Sequence, residues 1–385
     1  MNFDPTWILI GLPLAFALGW LASRFDLRQW RLENRQAPKA YYKGLSLLLN
    51  EQQDQAIDAF IEAVQRDPDT SELHFALGNL FRRRGEYERA VRVHEHLLAR
   101  ADLSATDRER AQHALALDFL KAGLIDRAED ALQKLQDTRY AQEAALTLLS
   151  MHERARDWPQ ASTIAQRLQQ QGQSDFSARL AHYLCEQAAA STRDQHPEQA
   201  RQLLEQAIAQ APAAARPRID LAGLLAAQGD AAGAFAALMQ LSERAPQSLP
   251  LVASELVRLG TDCGQTAQAL AALEASSAQT PSVDVTDAIV QALVAQGQPP
   301  DQARQRYVRH MDQEPSLIAA ARWLARERFT LEADHPTVQR SIDHAVRPLA
   351  RYRCAACGFE AQGYFWQCPG CQAWESFPSR RIEEL

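Results

Sequence analysis

The most regular feature of the chain is a repeating pattern of apolar and polar positions over residues 40–315. Helical segments that carry a small apolar residue recur every 33 to 39 residues, a spacing typical of a two-helix unit. These small residues are Ala56, Ala90, Ala128, Ala161, Ala200, Ala234, Ala269 and Ala303. Each such hairpin buries its apolar face only by stacking on its neighbours. The pattern therefore predicts an all-α superhelical solenoid of about eight hairpins over residues 40–315, followed by terminal helices over 316–350.

The N-terminal segment has a different pattern. No charged residue lies between Asp4 and Arg24, and the apolar run from Pro5 to Ser23 would span about 28 Å as a helix. We therefore predict a transmembrane anchor within residues 1–23. A cleaved signal peptide and a buried helix are the alternatives, but no basic residue precedes the apolar run, as a signal peptide would require.

A basic stretch follows the apolar run, over residues 24–39. Its arginines are spaced four, three and four residues apart, which places them on one side of a helix that continues from the anchor. They are Arg24, Arg28, Arg31 and Arg35. Because basic residues flank membrane segments on the cytoplasmic side, the bulk of the chain is expected to face the cytoplasm from the inner membrane. The stripe suits anionic headgroups, and an ordinary topology signal without a specific ligand explains it equally well.

The solenoid also carries candidate partner-binding residues. Polar residues of the second and third hairpins are expected on the inner surface, which in such arrays is lined by the first helix of each hairpin. They are Asn79, Arg82, Arg83, His113 and Lys121. A short acidic peptide is the ligand class that they favour. The alternative is that the run of arginines from 82 to 84 is a solvated helix end.

Composition and motifs argue against most enzyme classes. The net charge of −7 argues against a dedicated nucleic-acid binder. The low glycine content, 16 residues, favours a helical protein. His94 and Glu95 begin like a zinc-protease helix, but Leu98 stands where the second histidine would be needed. The sequence has no phosphate-binding loop of the Walker type and no nucleophile elbow. We therefore expect a protein that is not an enzyme.

Four of the six cysteines lie within residues 351–378, as two Cys-x-x-Cys pairs separated by ten residues. They are Cys354, Cys357, Cys368 and Cys371. Four thiolates with this spacing can converge tetrahedrally on one metal ion, either zinc or iron. A redox dithiol is the alternative, but two matched pairs in so short a stretch favour a shared metal.

Two local resemblances follow from these motifs. The second hairpin resembles the tetratricopeptide repeat through residues that share its pattern of large and small positions. These residues are Leu77, Gly78, Phe81, Gly85, Tyr87 and Ala90. The cysteine pairs resemble a rubredoxin-type or zinc-ribbon module, with nearby aromatic residues such as Trp374 and Phe377 available as a small core. Rubredoxins have a longer spacer and usually glycine after the last cysteine, where this chain has Gln372, which argues against electron transfer.

The order of anchor, repeats and metal module resembles the lipopolysaccharide assembly protein B family of Gram-negative bacteria. The resemblance implies an inner-membrane adaptor that regulates lipopolysaccharide synthesis. It implies two partners, the membrane-bound ATP-dependent protease FtsH and the lipid A deacetylase of the committed step, whose degradation the adaptor would promote. No nucleic acid is expected as a partner, and a homodimer is compatible with the resemblance. Two other functions stay open on the residues alone: electron transfer by an iron centre, and RNA binding by a zinc ribbon.

Overall fold

The computed structural model describes residues 42–47, 49–50, 52–66, 70–327 and 335–385, together with 16–17 and 19–20. The predicted anchor otherwise lies outside these residues, and so does the whole basic stretch with Arg24, Arg28, Arg31 and Arg35. In the part of the chain that is described, no helix has the length and apolar character needed to cross a membrane.

Helices make up most of the described chain before residue 347. Residues 42–47 are helical, and the longer helices are α1 Gln53–Arg66, α2 Ser71–Arg84, α3 Tyr87–Ala99, α4 Ala105–Lys121, α5 Ile125–Gln133, α6 Ala141–Ala155, α7 Trp158–Gln170, α8 Ser177–Arg193, α9 Pro197–Gln210, α10 Arg216–Ala227, α11 Ala231–Arg244, α12 Ala253–Asp262, α13 Thr266–Gln279, α14 Val283–Ala295, α15 Pro300–Gln313, α16 Leu317–Leu324 and α17 His335–Val346. A 3₁₀ helix, Pro246–Leu251, precedes α12.

The repeating small residues lie where two helices approach each other. All eight alanines, from Ala56 to Ala303, are buried, with at most 2% of their surface exposed. A larger side chain at these positions would force the paired helices apart, because protein interiors have almost no free volume. The prediction that helical hairpins stack into an all-α solenoid is thereby confirmed.

The turns inside the hairpins explain why some repeats are hard to recognise in the sequence. Five residues before the repeating alanine, four hairpins hold a glycine with a positive φ: Gly85, Gly123, Gly229 and Gly264. In the fourth and fifth hairpins the same position is held by Arg156 at φ 57° and Gln195 at φ 63°. A left-handed backbone costs a residue with a side chain about 1–2 kcal/mol, so packing of the flanking helices must impose this turn.

The chain divides into two compact units, Met1–Met151 and His152–Leu385, and the boundary falls within α6. In the first unit, a core of residues such as Phe60, Leu77 and Phe81 joins α1, α2 and α3. In the second unit, the largest core runs through α10 to α14, with Leu241, Leu256 and others fully buried. Both cores are rich in alanine and leucine, with some valine, isoleucine and phenylalanine side chains, as expected where hairpins stack.

The C-terminal part of the second unit contains the described strands. β1, Tyr352–Arg353, pairs antiparallel with β2, Glu360–Ala361, and an isolated bridge joins Gln367 to Trp374. We call residues 351–378 the ribbon and residues 379–385 the tail, which ends in a 3₁₀ helix, Ile382–Glu384. Two residues per strand cannot hold such a module together, so its loops and cysteines must do so.

Candidate metal centre

The four cysteines of the ribbon converge in space. Their sulfur atoms all lie within 4.8 Å of one another. The sulfurs of Cys354 and Cys371 are 3.8 Å apart, and those of Cys357 and Cys368 are 3.7 Å apart. Four sulfurs held at about 2.3 Å from a tetrahedral ion would be about 3.8 Å apart, so this geometry fits one metal ion.

The first cysteine pair sits on a tight turn with two backbone hydrogen bonds. The amide of Gly358 donates to the carbonyl of Cys354, and the amide of Cys354 donates to the carbonyl of Phe359, both at 2.9 Å. Gly358 has a φ of 77°, a left-handed conformation that a glycine adopts without steric cost. The turn directs both sulfurs of the pair to the same side.

The second cysteine pair repeats this turn. The amide of Gln372 donates to the carbonyl of Cys368, and the amide of Cys368 donates to the carbonyl of Ala373, again at 2.9 Å. Gln372 adopts a φ of 63° in the place that Gly358 holds in the first turn. The departure from glycine noted in the sequence therefore leaves the turn intact.

The ionisation of the four cysteine thiols favours a bound cation. A hydrogen bond with Ser376, whose Oγ is 3.3 Å from the sulfur, together with the amides of Cys357 and Ala356, lowers the pKa of the Cys354 thiol to about 6. The amide of Phe359 lowers the pKa of Cys357, but burial and the neighbouring thiols outweigh it and raise this pKa to about 12. Four thiolates this close repel one another, so all of them can ionise only around a positive ion.

The ribbon packs against α6 and α8 of the solenoid through two tryptophans, Trp366 and Trp374, and the carboxylate of Glu375. The indole ring of Trp374 stacks on the ring of His182 with centroids 4.8 Å apart, and its Nε1 donates to Glu153 at 3.2 Å. The Nε2 atom of His182 is 3.0 Å from a carboxylate oxygen of Glu375. The hydrogen bond with His182 holds the pKa of Glu375 below its usual value. Trp374 was expected in a small core of the ribbon itself, and the structure places it in this contact instead.

The tail binds the amino ends of two solenoid helices. The Glu383 carboxylate accepts hydrogen bonds from the amides of Leu317 and Ile318, the first residues of α16. The carboxylate of Glu384 accepts a hydrogen bond of 2.6 Å from the amide of Val283, the first residue of α14. Helix amino ends have unpaired N–H groups and a partial positive charge, so both glutamates act as caps supplied from a distant segment.

Arginines of the tail complete the attachment. Arg380 binds both carboxylate oxygens of Glu314 at 2.6 Å. Arg381 lies 2.8 Å from the carboxylate of Asp284, and its guanidinium covers the ring of Tyr352 at 4.2 Å from the centroid. The first strand of the ribbon is thereby fixed to α14 through an arginine that contacts both.

The first unit contains a buried polar network around one of the predicted partner-binding residues. Arg82 donates to Asp118 at 2.8 Å, and the other oxygen of Asp118 lies 2.5 Å from Nδ1 of His94. Asp118 and His94 are fully buried. Asn79 accepts a hydrogen bond from the same arginine. The sequence analysis missed this network, although Asp118 stands at a repeat position where other hairpins have leucine, as at Leu80.

The other predicted partner-binding residues are spread over α2 and α4. Arg83 and Lys121 are exposed. His113 stacks on Tyr140 at 4.6 Å between centroids and lies 3.5 Å from Glu143. Nothing in these contacts tests whether a partner binds there, so the set stays a prediction.

Models of known protein families match parts of the repeats and the ribbon. Residues 352–378 match the family model of a rubredoxin metal binding domain. Residues 41–104 and 192–259 match models of the tetratricopeptide repeat. A solved tetratricopeptide repeat protein from Parabacteroides merdae is a distant structural neighbour, with a TM-score of 0.34 and 13% identity, covering 67% of this chain and 99% of that chain.

Curated relatives match over nearly the whole length. Lipopolysaccharide assembly protein B of Escherichia coli strain K12 is 31% identical over 97% of this chain and 98% of its own. The protein of the same name from Haemophilus influenzae is 25% identical over 95% of this chain and 96% of its own. On this full-length similarity, with its repeats and its ribbon, the chain belongs to the lipopolysaccharide assembly protein B family.

Proposed function

We propose that this protein is an adaptor of lipopolysaccharide synthesis and assembly that works at the inner membrane and catalyses no reaction itself. The observation that carries the proposal is the match along almost the full chain to relatives named for lipopolysaccharide assembly. A repeat solenoid suits an adaptor because stacked hairpins present an extended surface to partner proteins.

The proposed mechanism is recruitment. The solenoid binds the lipid A deacetylase and presents it to the membrane-bound protease FtsH, which degrades it. The anchor predicted between Pro5 and Ser23 would keep the adaptor close to the protease in the plane of the membrane. Such tethering raises the effective concentration of one partner near the other without any new contact.

In this proposal the four ribbon cysteines hold one zinc or iron ion with a structural role. A metal bound by four thiolates supplies about 10–16 kcal/mol of folding free energy, which a module of this size cannot obtain from burial. Ser376 and the turn amides stabilise the thiolates. Trp374 and Glu375 then hold the folded ribbon against α8. In this position the ribbon adds its own surface to the solenoid surface that binds partner proteins.

Replacement of the anchor tests recruitment. We expect that deletion of residues 1–23 lengthens the half-life of the deacetylase several-fold after translation is blocked, because adaptor and protease no longer meet at the membrane. A matched control carries an unrelated membrane-spanning helix in place of residues 1–23 and should restore rapid degradation. If the anchorless protein supports degradation at the wild-type rate, tethering is not part of the mechanism.

Crosslinking tests the partners directly. The full-length protein should capture both FtsH and the deacetylase from membranes. Alanine at Arg83 and Lys121, which are exposed, should weaken capture of the deacetylase if the predicted groove binds it. Alanine at Arg201 and Arg258, two other exposed basic residues, serves as the matched control. Failure of wild-type protein to capture either partner would contradict the adaptor proposal.

A further inference from the structure

The tail is bound on one side to the segment of chain that leads into the ribbon. The amide of Ile382 donates to the carbonyl of Arg351 at 2.8 Å, and the guanidinium of Arg381 donates to the carbonyl of Ala350 at 2.8 Å. The same guanidinium covers the ring of Tyr352. The position of the tail is therefore set by the residues at the start of the ribbon.

The start of the ribbon is in turn held by the cysteines. Tyr352 is buried in one cluster with Cys354, Cys368 and Phe377, so two of the four members of this cluster are candidate metal ligands. A module of this size does not fold on apolar burial alone, and its four thiols can hold it together only around a metal ion. Loss of the metal should therefore release Tyr352 from its fixed position.

On its other side the tail closes the amino ends of α14 and α16. Ser282 precedes α14 but makes no capping hydrogen bond with its own side chain, so Glu384 supplies the cap at the amide of Val283. At α16 the carboxylate of Glu383 accepts a hydrogen bond of 2.6 Å from the hydroxyl of Ser316, besides those from the first two amides. Both helices thus rely on the tail to satisfy their first N–H groups.

The tail cannot hold these positions by a fold of its own. Its only helical turn is the 3₁₀ helix Ile382–Glu384, which is too short to be stable in isolation. While the ribbon is folded, the tail is fixed on both sides and its carboxylates stay beside the helix amides. When the ribbon is disordered, the whole ribbon becomes a flexible linker between α17 and the tail, and the effective concentration of the carboxylates at the amides falls.

We infer that metal binding by the four cysteines and capping of α14 and α16 are one coupled equilibrium. The ribbon and the tail together form a metal-responsive latch on the last hairpins of the solenoid. The latch is closed in the metal-bound protein, where Arg381 bridges Tyr352 and Asp284, and it opens when the metal leaves. Because such coupling is reciprocal, the caps strengthen metal binding by the same factor as the metal strengthens capping. The inference does not depend on the proposed adaptor function.

Hydrogen exchange of the full-length protein tests the latch, with mass spectrometry of the zinc-bound protein and of the protein stripped by a chelator. We expect peptides that contain Val283, or Leu317 and Ile318, to exchange at least tenfold faster without metal, because their amides lose their acceptors. Peptides from α2 and α3 of the first unit should exchange equally fast in both states. Equal exchange at α14 and α16 in both states would overturn the inference.

A double variant tests whether the effect runs through the tail. Glu383→Ala/Glu384→Ala removes both acceptors and leaves the four cysteines in place. The first amides of α14 and α16 should then exchange fast with or without metal. A metal-dependent difference as large as that of the wild type would mean that protection arrives by another route, and the latch would be wrong.

The matched control for this variant changes the other attachment of the ribbon. Glu375→Gln alters the carboxylate that contacts His182 of α8 and leaves the tail intact. It should keep the metal-dependent difference in exchange at α14 and α16. Loss of this difference in Glu375→Gln would also contradict the latch, because the contact with α8 would then be the link.

Zinc affinity tests the coupling in the reverse direction. In competition with a chromophoric chelator, the double variant should bind zinc at least tenfold more weakly than the wild type, since the caps no longer favour the folded ribbon. Glu243→Ala, which changes an exposed carboxylate on α11, should bind zinc as tightly as the wild type. An unchanged zinc affinity of the double variant would refute the coupled equilibrium, because linkage requires both effects to occur together.

Discussion

The hairpins and the ribbon achieve a fixed structure in different ways. In the hairpins, buried alanine, leucine and aromatic side chains recur along hundreds of residues, and each hairpin is stabilised by its neighbours. In the ribbon, the buried apolar cluster consists of only Tyr352, Cys354, Cys368 and Phe377. The stability of a hairpin is thus spread over many small contacts, whereas that of the ribbon is concentrated in a few atoms. Single substitutions should therefore affect the two regions very differently.

The largest effect is expected from loss of one metal ligand. Cys354→Ser removes one of four thiolates, and because metal binding and folding are coupled, the ribbon should lose on the order of 10 kcal/mol and become disordered. The solenoid should stay helical. Metal analysis should find about one zinc or iron per wild-type chain and none in the variant.

A matched control for this experiment is Cys263→Ser, which changes a free cysteine of the solenoid. It should leave the metal content and the protease resistance of the ribbon unchanged. Retention of metal by Cys354→Ser would show that the four cysteines do not form one site.

A smaller but still large effect is expected where the solenoid departs from apolar packing. Asp118→Ala leaves His94 and Arg82 without their shared carboxylate, and removal of one partner from a buried ionic network costs about 3–5 kcal/mol. Hydrogen exchange of the amides in α3 and α4 should speed up accordingly.

The apolar double variant His94→Leu/Asp118→Leu provides the comparison. At position 118 the double variant has the leucine that other hairpins hold, such as Leu224. It should recover most of the stability that Asp118→Ala loses. If Asp118→Ala exchanges its amides as slowly as the wild type, the network has no stabilising role.

These regions also differ in how far the sequence predicts them. The spacing of the alanines predicts the hairpins, because helix pairing follows from local apolar periodicity. The cysteine spacing predicts the metal site, because four converging thiolates allow few arrangements. The contact between His182 and Glu375 joins residues 193 positions apart, and no local pattern encodes it. The network around Asp118 likewise needs three helices in place before its polar groups can meet.

The attachment of the tail should show an intermediate effect. Glu383→Ala removes the carboxylate that accepts the first amides of α16, and loss of a helix cap typically costs about 1–2 kcal/mol. The melting temperature of the second unit should fall by a few degrees. Glu243→Ala, which changes an exposed carboxylate on α11, should cause no shift. Equal melting temperatures for both variants would mean that the tail does not stabilise the solenoid.

The smallest effect is expected in the second cysteine turn, and it should be stabilising. Gln372→Gly relieves a left-handed backbone at φ 63°, a gain of about 0.5–1 kcal/mol. Release of metal to a chelator should become slower in this variant. The reciprocal change, Gly358→Gln, introduces the same strain in the first turn and should accelerate release. If both substitutions change the rate in the same direction, backbone strain is not the cause.

The caps supplied by the tail also impose an order on the synthesis of the protein. Glu383 and Glu384 lie 67 and 101 residues after the segments that they bind, at Ser316 and Val283. At translation rates of about 5–20 residues per second, α14 leaves the ribosome several seconds before its capping residue is made. A nascent chain interrupted in this interval has a first turn of α14 whose amide at Val283 lacks its partner. Full capping of α14 and α16 is therefore reached only after residues 383 and 384 have been made.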